Sequence, residues 1–308
     1  MVSPIIIYGP TATGKTELAI EIAKKINGEI ISADSRQVYK KLDIGSGKIT
    51  FSSDTYKNED YWTVNGVKIR GFDLASPEEK FTVADFLIFA KKAIEEIEKL
   101  GKIPIIVGGT AFYIDSLIKG LGTMGVAPDV ELRSKLARFS PEELFVKLQG
   151  INTEKASLMN QSDRKNPRRL IRAIEISLAP PQIPSINRLN KYLLITLTAD
   201  NDFLYKKADV SLEIRLKRLI EEIQNLINSK VSVSWLESLG LEYRWITKYV
   251  KGSMNKSEAI NRLKGDLHDF IRRQKTWFSK FPEISVFDIS QKGWNKRVEN
   301  KILEYLKN

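Results

Sequence analysis

The chain has 308 residues, 42% hydrophobic and 28% charged, with a formal net charge of +11. That length can bury a full core as one large domain or two, and the excess of Lys and Arg fits a polyanionic partner such as nucleic acid as well as it fits a plain basic surface. With no Cys and a single His, His268, the chain excludes disulfides, thiolate nucleophiles, Cys-ligated zinc, His-based triads and multi-His metal sites.

The predicted elements alternate at first. The apolar run "PIIIY" (4–8) ends on a glycine-rich loop, Gly9 to Thr16. Leu18, Ala19, Ile22, Ala23 and Ile26 then follow helical spacing, and Gly28 is the expected C-cap. "EIISAD" (29–34) reads as the next strand. Thr82 with Asp85 predicts a capping box that opens a helix running through Leu100, stopped by Gly101. "IPIIVGG" (103–109) is a third buried strand, feeding a helix from Thr110. Alternation of this kind predicts a parallel α/β sheet, in which ligands bind at the carboxyl ends of the strands. Gly9–Thr16, Asp34 and Gly108–Thr110 all sit at such ends, so one cleft can gather them.

The pattern then changes. Segments 128–149 and 166–178 read as helical with no strand between them, and Pro180, Pro181 and Pro184 mark a linker. "YLLITLTA" (192–199) reads as a strand returning to the sheet. The expected organisation is a core of residues 1–121 and 188–308 with a helical insertion over 122–187. From about 203 to 281 the chain reads as helical and basic, with its end packed back on the core. No apolar run approaches the roughly 18 residues that span a bilayer, and the short start before Gly9 lacks a basic signal sequence, so a cytoplasmic protein is expected.

"GPTATGKT" fits GxxxxGK[ST] between a strand and a helix. Gly9, Pro10, Thr11, Ala12, Thr13 and Gly14 bring backbone N–H groups to phosphate oxygens, Lys15 adds a point charge, and the helix N-terminus adds partial positive charge. The Thr16 hydroxyl is placed to ligate Mg²⁺. Asp34, in "ADSRQVY", reads as a metal-side acid, a general base or a helix cap, the three left open. The strand ending in Gly108-Gly109-Thr110 carries no second acid, which speaks against an ordinary NTPase. Asn166-Pro167 opens a helix rich in arginine (Arg168, Arg169, Arg172, preceded by Arg164 and Lys165), either a phosphate-contacting face or a solvated one. In "HDFIRRQKTWFSKF" (268–281) basic and aromatic residues interleave. Phe270, Trp277 and Phe281 follow helical spacing and are expected in the core, and His268 is expected to be structural.

Taken together, "GPTATGKTELAIEIA", "GEIISADSRQVYKKLDIGSGK", "FTVADF", "PIIVGGTAFYIDSLIKGL", "NPRRLIRAIEI" and "RRQKTWF" resemble the tRNA dimethylallyltransferase family, in the family's order and over most of the chain. The resemblance implies a P-loop NTPase-like core with a helical insertion. It also implies transfer of a dimethylallyl group from dimethylallyl diphosphate to the exocyclic amine of the adenine 3′ of the anticodon, in tRNAs reading codons that begin with U. The loop that elsewhere holds ATP would hold an allylic diphosphate and Mg²⁺. Asp34 matches the proposed base, Thr110 a residue positioning phosphate and amine, and Arg215 an arginine on the diphosphate, with Ser211 where relatives often carry Arg. Asp34, Ser35, Arg36, Gln37 and Thr110 match the residues around the target base. Arg133 and the run Arg168, Arg169, Leu170, Ile171 and Arg172 match contacts to the anticodon stem-loop. A monomer is expected. The rival readings are a phosphate-loop kinase for a small molecule or nucleotide, and an RNA-binding protein without catalysis.

Overall fold

A computed structural model describes residues 3–48, 54–120, 126–180, 189–278, 281 and 284–307. The chain divides into two compact units, Met1–Ile118 with Leu189–Asn308, and Lys119–Arg188. Pro181, Pro184 and Lys280 lie outside the described residues.

The larger unit begins with β1 (Ile5–Tyr8), α1 (Lys15–Ile26), β2 (Gly28–Ser32), β3 (Thr55–Lys57), β4 (Trp62–Val64), β5 (Val67–Arg70), α2 (Val83–Lys99), β6 (Ile103–Gly108) and α3 (Ala111–Lys119). The smaller unit supplies α4 (Val130–Leu136), α5 (Pro141–Ile151), α6 (Thr153–Ser157), α7 (Gln161–Arg164) and α8 (Pro167–Leu178). The larger unit resumes with β7 (Leu193–Thr198), α9 (Asn201–Asn228), α10 (Val233–Ser238), α11 (Leu241–Val250), α12 (Lys256–Phe278), β8 (Ser285–Asp288) and α13 (Trp294–Lys307).

One eight-stranded sheet runs β3-β4-β5-β2-β6-β1-β7-β8. All pairs from β5 to β8 are parallel. The three residues Ile5–Ile7 are completely buried, as a central parallel strand covered on both faces requires. The sheet is mixed rather than wholly parallel, because β3, β4 and β5 form an antiparallel meander at its edge. Asn65 and Gly66, both at positive φ, turn β4 into β5. Asn-Gly is the pair that a tight hairpin favours, since both central residues need a left-handed backbone.

The capping box on α2 is present: the Thr82 hydroxyl accepts from the Asp85 N–H, and the Asp85 carboxylate accepts from the Thr82 N–H. The cap of α1 differs from expectation. Asn27 takes the left-handed position (φ 53°), and Gly28 is drawn into β2. Gly28 is there for space: a Cβ on it would lie 2.7 Å from Ile105 Cδ1. Segment 128–149 breaks into α4 and α5 at Ser140, which caps α5 ahead of Pro141.

Ile5, Ile7, Ile30, Ile105 and Ile195 form one core with α1 and α13. A second core lies among α9–α12, around Leu219, Ile223, Leu236, Tyr243 and Leu263. The smaller unit has its own, built on Leu144, Leu148, Leu170 and Ile174. On α12 the buried stripe is Leu263, Leu267, Ile271, Gln274 and Phe278. Phe281 is buried as expected, but Phe270 and Trp277 are only half-buried. A polar Gln inside the stripe disguises its period. His268 is structural: it stacks on Tyr205 and shares a hydrogen bond of 3.0 Å with Asp209.

Candidate active site

The phosphate loop follows β1 directly. Gly9 is forced by crowding, since a Cβ there would lie 2.6 Å from the Leu197 carbonyl oxygen. Ala12 (φ 67°) and Gly14 (φ 79°) bend the loop, and the Thr13 hydroxyl braces it by donating to the Pro10 carbonyl at 2.8 Å. Lys15 opens α1, and its Nζ donates to the Pro10 carbonyl at 2.7 Å. Burial pulls its pKa down to about 8, with the carboxylates of Asp34 and Glu17 opposing that fall. Thr11 to Thr16 line a cavity of about 660 Å³, together with Asp34 and Gly109.

Asp34 leaves β2 beside the loop that follows β6. Its Oδ1 accepts from the Arg36 N–H at 2.9 Å, so the turn carries no helix for it to cap. Its charge is felt nearby. Burial, reinforced by the Asp34 carboxylate, holds the phenols of Tyr8 and Tyr113 well above the usual tyrosine range. Gly108 must lack a side chain, because a Cβ there would strike the Ala33 backbone. That close approach brings Thr110 to Ser35: Thr110 Oγ1 accepts from the Ser35 N–H at 2.9 Å and lies 3.3 Å from Ser35 Oγ. Both ends of the Gln37 amide are engaged, accepting from Ser32 Oγ at 2.6 Å and donating to the Ser46 carbonyl at 3.1 Å. Arg36 donates to the Leu239 carbonyl at 2.7 Å and 3.2 Å, over the Phe270 ring. Asp34, Arg36 and Gln37 line the cavity, while Ser35 and Thr110 lie outside its lining.

Helix α9 adds Lys207, Ser211 and Arg215 to the lining. Arg215 is nearly buried and heavily used. Its Nη2 pairs with Glu242 at 2.5 Å, and its Nη1 donates to the carbonyls of Ile44 and Gly45 at 3.1 Å and 3.2 Å. Its Nε is buried with no partner among the described residues. Two turns of α9 further on, Glu222 accepts the N–H groups of Asp43, Ile44 and Gly45 at 2.7, 2.6 and 3.1 Å, and the Tyr243 hydroxyl at 3.0 Å. Burial pushes the Glu222 carboxyl up, against the pull of those donors. The loop wall Ile44–Gly47 is therefore held from behind. Gly45 sits against Tyr243, whose hydroxyl a Cβ would approach to 2.6 Å. Lys207 and Glu222 lie in no sequence motif, so only the fold reveals them.

In the smaller unit, Glu175 has a side chain only 1% exposed. It accepts from Arg133 Nε and Nη2 at 2.6 and 2.7 Å, from Arg172 at 3.1 Å and from the Asp129 N–H at 2.9 Å. Those donors hold its carboxyl below the usual range, against its burial. Arg172 also donates to the Val126 carbonyl at 2.8 Å. Arg168 is exposed, and Arg169, also exposed, pairs with Asp163. Ile171 is half-buried. Leu170 corrects the expectation of a nucleic-acid contact by its side chain: it is fully buried in the unit's core, because it falls on the apolar face of α8 with Ala173 and Ile174.

Among the described residues no group of three or more His, Cys, Asp or Glu could hold a metal. The donors that line the cavity, the Thr16 hydroxyl with Asp34 nearby, suit a hard dication that keeps its waters and shares its other oxygens with phosphate.

Residues 37–281 match the family described as IPP transferase, and residues 3–70 match the isopentenyl transferase description. The tRNA dimethylallyltransferase of Acetivibrio thermocellus is 36% identical over 98% of this chain and 96% of its own length. The tRNA dimethylallyltransferase 1 of Geotalea daltonii is 37% identical over 90% of this chain and 86% of its own. Among solved structures, the full-length tRNA isopentenylpyrophosphate transferase of Bacillus halodurans is similar at a TM-score of 0.70 and 30% identity, covering 100% of this chain and 97% of that one. A eukaryotic dimethylallyltransferase acting on tRNA shares the fold at a TM-score of 0.79 and 22% identity, over 98% of this chain and 78% of that one.

Proposed function

The chain belongs to the IPP transferase family, and from that premise we propose that it transfers a dimethylallyl group from dimethylallyl diphosphate to N6 of the adenosine immediately 3′ of the anticodon, in tRNAs reading codons that begin with U, and releases diphosphate. The observation that carries the reading is the shared cavity: the phosphate loop and the carboxylate of Asp34, at the end of β2, line one space. A phosphate that is a leaving group needs an anion site on one side and a proton acceptor on the other.

Breaking the allylic C–O bond develops negative charge on the diphosphate. Lys15, the loop amides and the N-terminus of α1 stabilise that charge, with Arg215 and Lys207 lining the same cavity. Mg²⁺ held at Thr16 would neutralise further charge on the diphosphate oxygens. The adenine amine is a weak nucleophile because its lone pair is delocalised into the ring, and Asp34 accepts its proton as the N–C bond forms. The Arg36 N–H holds Asp34 in place, and the Thr110 hydroxyl braces the adjacent turn through Ser35. A base must leave its stack to reach such a cavity. In the smaller unit Arg168 and Arg169 supply charge for a phosphate backbone, while Arg133 and Arg172 are oriented by Glu175. A kinase reading is not favoured, since the relatives named above are transferases acting on tRNA.

The test is to incubate the protein with Mg²⁺, dimethylallyl diphosphate and an anticodon stem-loop carrying three consecutive adenines, then weigh the RNA. The expected result is the mass of one dimethylallyl group on the adenine 3′ of the anticodon. In Asp34→Asn, RNA affinity should persist while turnover falls by about a hundredfold or more. Near-normal turnover in that variant removes Asp34 as the base.

A further inference from the structure

Helix α12 carries one polar residue on its buried stripe, and both ends of its amide are used. Gln274 is only 4% exposed, between Ile271 and Phe278. Its Nε2 donates to the Gly109 carbonyl at 2.8 Å, its Oε1 accepts from the Thr11 N–H at 3.0 Å, and its main-chain carbonyl accepts from the Tyr8 hydroxyl at 3.3 Å. Gly109 is fitted to this contact: a Cβ there would lie 2.7 Å from Gln274 Nε2 and 3.8 Å from Asp34 Oδ2.

One side-chain amide thus joins the phosphate loop after β1 to the turn after β6, which stands against Asp34. An apolar residue of the same size would leave the buried Gly109 carbonyl and the part-buried Thr11 N–H without this partner. Core packing alone asks for Leu or Met in this stripe and explains neither hydrogen bond. We propose that Gln274 is a positioning residue, setting the separation between the anion held by the phosphate loop and the proton acceptor Asp34. The proposal rests on the prenyl-transfer reading above. A transfer between two anchored groups is sensitive to this kind of spacing, and misplacement by about 1 Å costs on the order of a hundredfold in rate. One helical turn earlier, Phe270 lines the same cavity beneath the Arg36 guanidinium, 5.7 Å from its ring centroid. Helix α12 therefore braces Arg36 with one turn and the two loops with the next.

Two variants test this. Gln274→Met keeps the volume and removes both hydrogen bonds. Gln274→Glu does both jobs while its carboxyl is protonated, the carbonyl accepting from Thr11 and the hydroxyl donating to Gly109, but once ionised it cannot donate. Burial and the Asp34 carboxylate favour that proton, and the Lys15 ammonium opposes it. Wild type and both variants are assayed for dimethylallyl transfer at saturating RNA and allylic diphosphate across the pH range, with thermal melting alongside. Gln274→Met should lose about a hundredfold in kcat with the KM for RNA little changed. Gln274→Glu should approach wild-type turnover at the acid end and lose it as pH rises, a fall that begins below the pH at which neutralisation of Lys15 lowers the wild-type rate. Wild-type kcat in Gln274→Met, or a Gln274→Glu profile parallel to wild type, overturns the proposal. If Gln274→Met melts below assay temperature, the Gln274→Glu profile decides alone. Failure of wild type to prenylate RNA defeats the transfer reading and this assignment with it, whereas active wild type with unaffected variants defeats only the assignment.

Discussion

Replacing Glu175 by Gln should loosen the smaller unit by a calculable amount. The carboxylate accepts four hydrogen bonds, two on each oxygen. Gln can keep its carbonyl toward the Asp129 N–H and Arg133 Nε, but its amino group then faces Nη2 of Arg133 and Nη1 of Arg172. Hydrogen bonds to a charged partner are worth about 1.5–3 kcal/mol each and neutral ones about 1 kcal/mol. Two are lost and two are weakened. Because the arginine side chains are 40% and 30% exposed, they can turn to water, which trims the loss. A cost of about 2–4 kcal/mol remains. The pH dependence has a definite sign. The folded-state pKa of Glu175 is lowered, so its contribution is present above the ordinary carboxylate pKa and is lost as pH falls through the folded value. Amide hydrogen exchange of α4 and α8, read by mass spectrometry, should therefore be faster in Glu175→Gln at neutral pH, with the difference closing in acid. Although the variant gains a positive charge, it should bind the anticodon stem-loop more weakly, because two arginines lose their orientation. Unchanged protection at neutral pH, or a difference that survives full protonation of Glu175, would refute the reasoning.

Lys15 predicts a second pH effect. Its folded pKa of about 8 lies below the ordinary lysine value, so the folded chain gains stability relative to the unfolded one as pH rises from there toward that value. Over the same interval affinity for dimethylallyl diphosphate should fall as the ammonium neutralises, and calorimetry on Lys15→Met should show a weaker affinity without that slope. Gly108→Ala should be inactive and destabilised by more than about 2 kcal/mol in urea unfolding, since its Cβ meets the Ala33 backbone in the middle of the sheet. Arg168→Ala is a cleaner probe of RNA contact than any change at Arg172, which also holds Glu175 and the Val126 carbonyl. It should raise the KM for the stem-loop and reduce the salt slope of binding by about one, leaving kcat intact.

How far the sequence could be read depends on how local each feature is. The phosphate loop, β1, β6, the Thr82–Asp85 box and the Asn166 cap of α8 are written in neighbouring residues, and all are present. The edge meander is local too, carried by "WTVNGVKI" with its Asn65-Gly66 turn, although it falls outside the parallel alternation of strands and helices. Gln274 stood in a quoted motif, yet nothing local showed which way its amide faced. Its partner Thr11 is 263 positions away.

By itself the sequence determined the α/β class, the anion-binding loop and the candidate acid, because glycine, lysine and hydrophobic spacing act over a few residues through backbone geometry and burial. Only the tertiary structure decided which polar side chains are spent. Arg215 is tied to Glu242 and to the loop carbonyls, Arg133 and Arg172 are held by Glu175, Leu170 is interior, and Gln274 bridges two loops. A buried donor or acceptor must find a partner wherever the fold places one, and that partner is fixed by distance in space rather than along the chain.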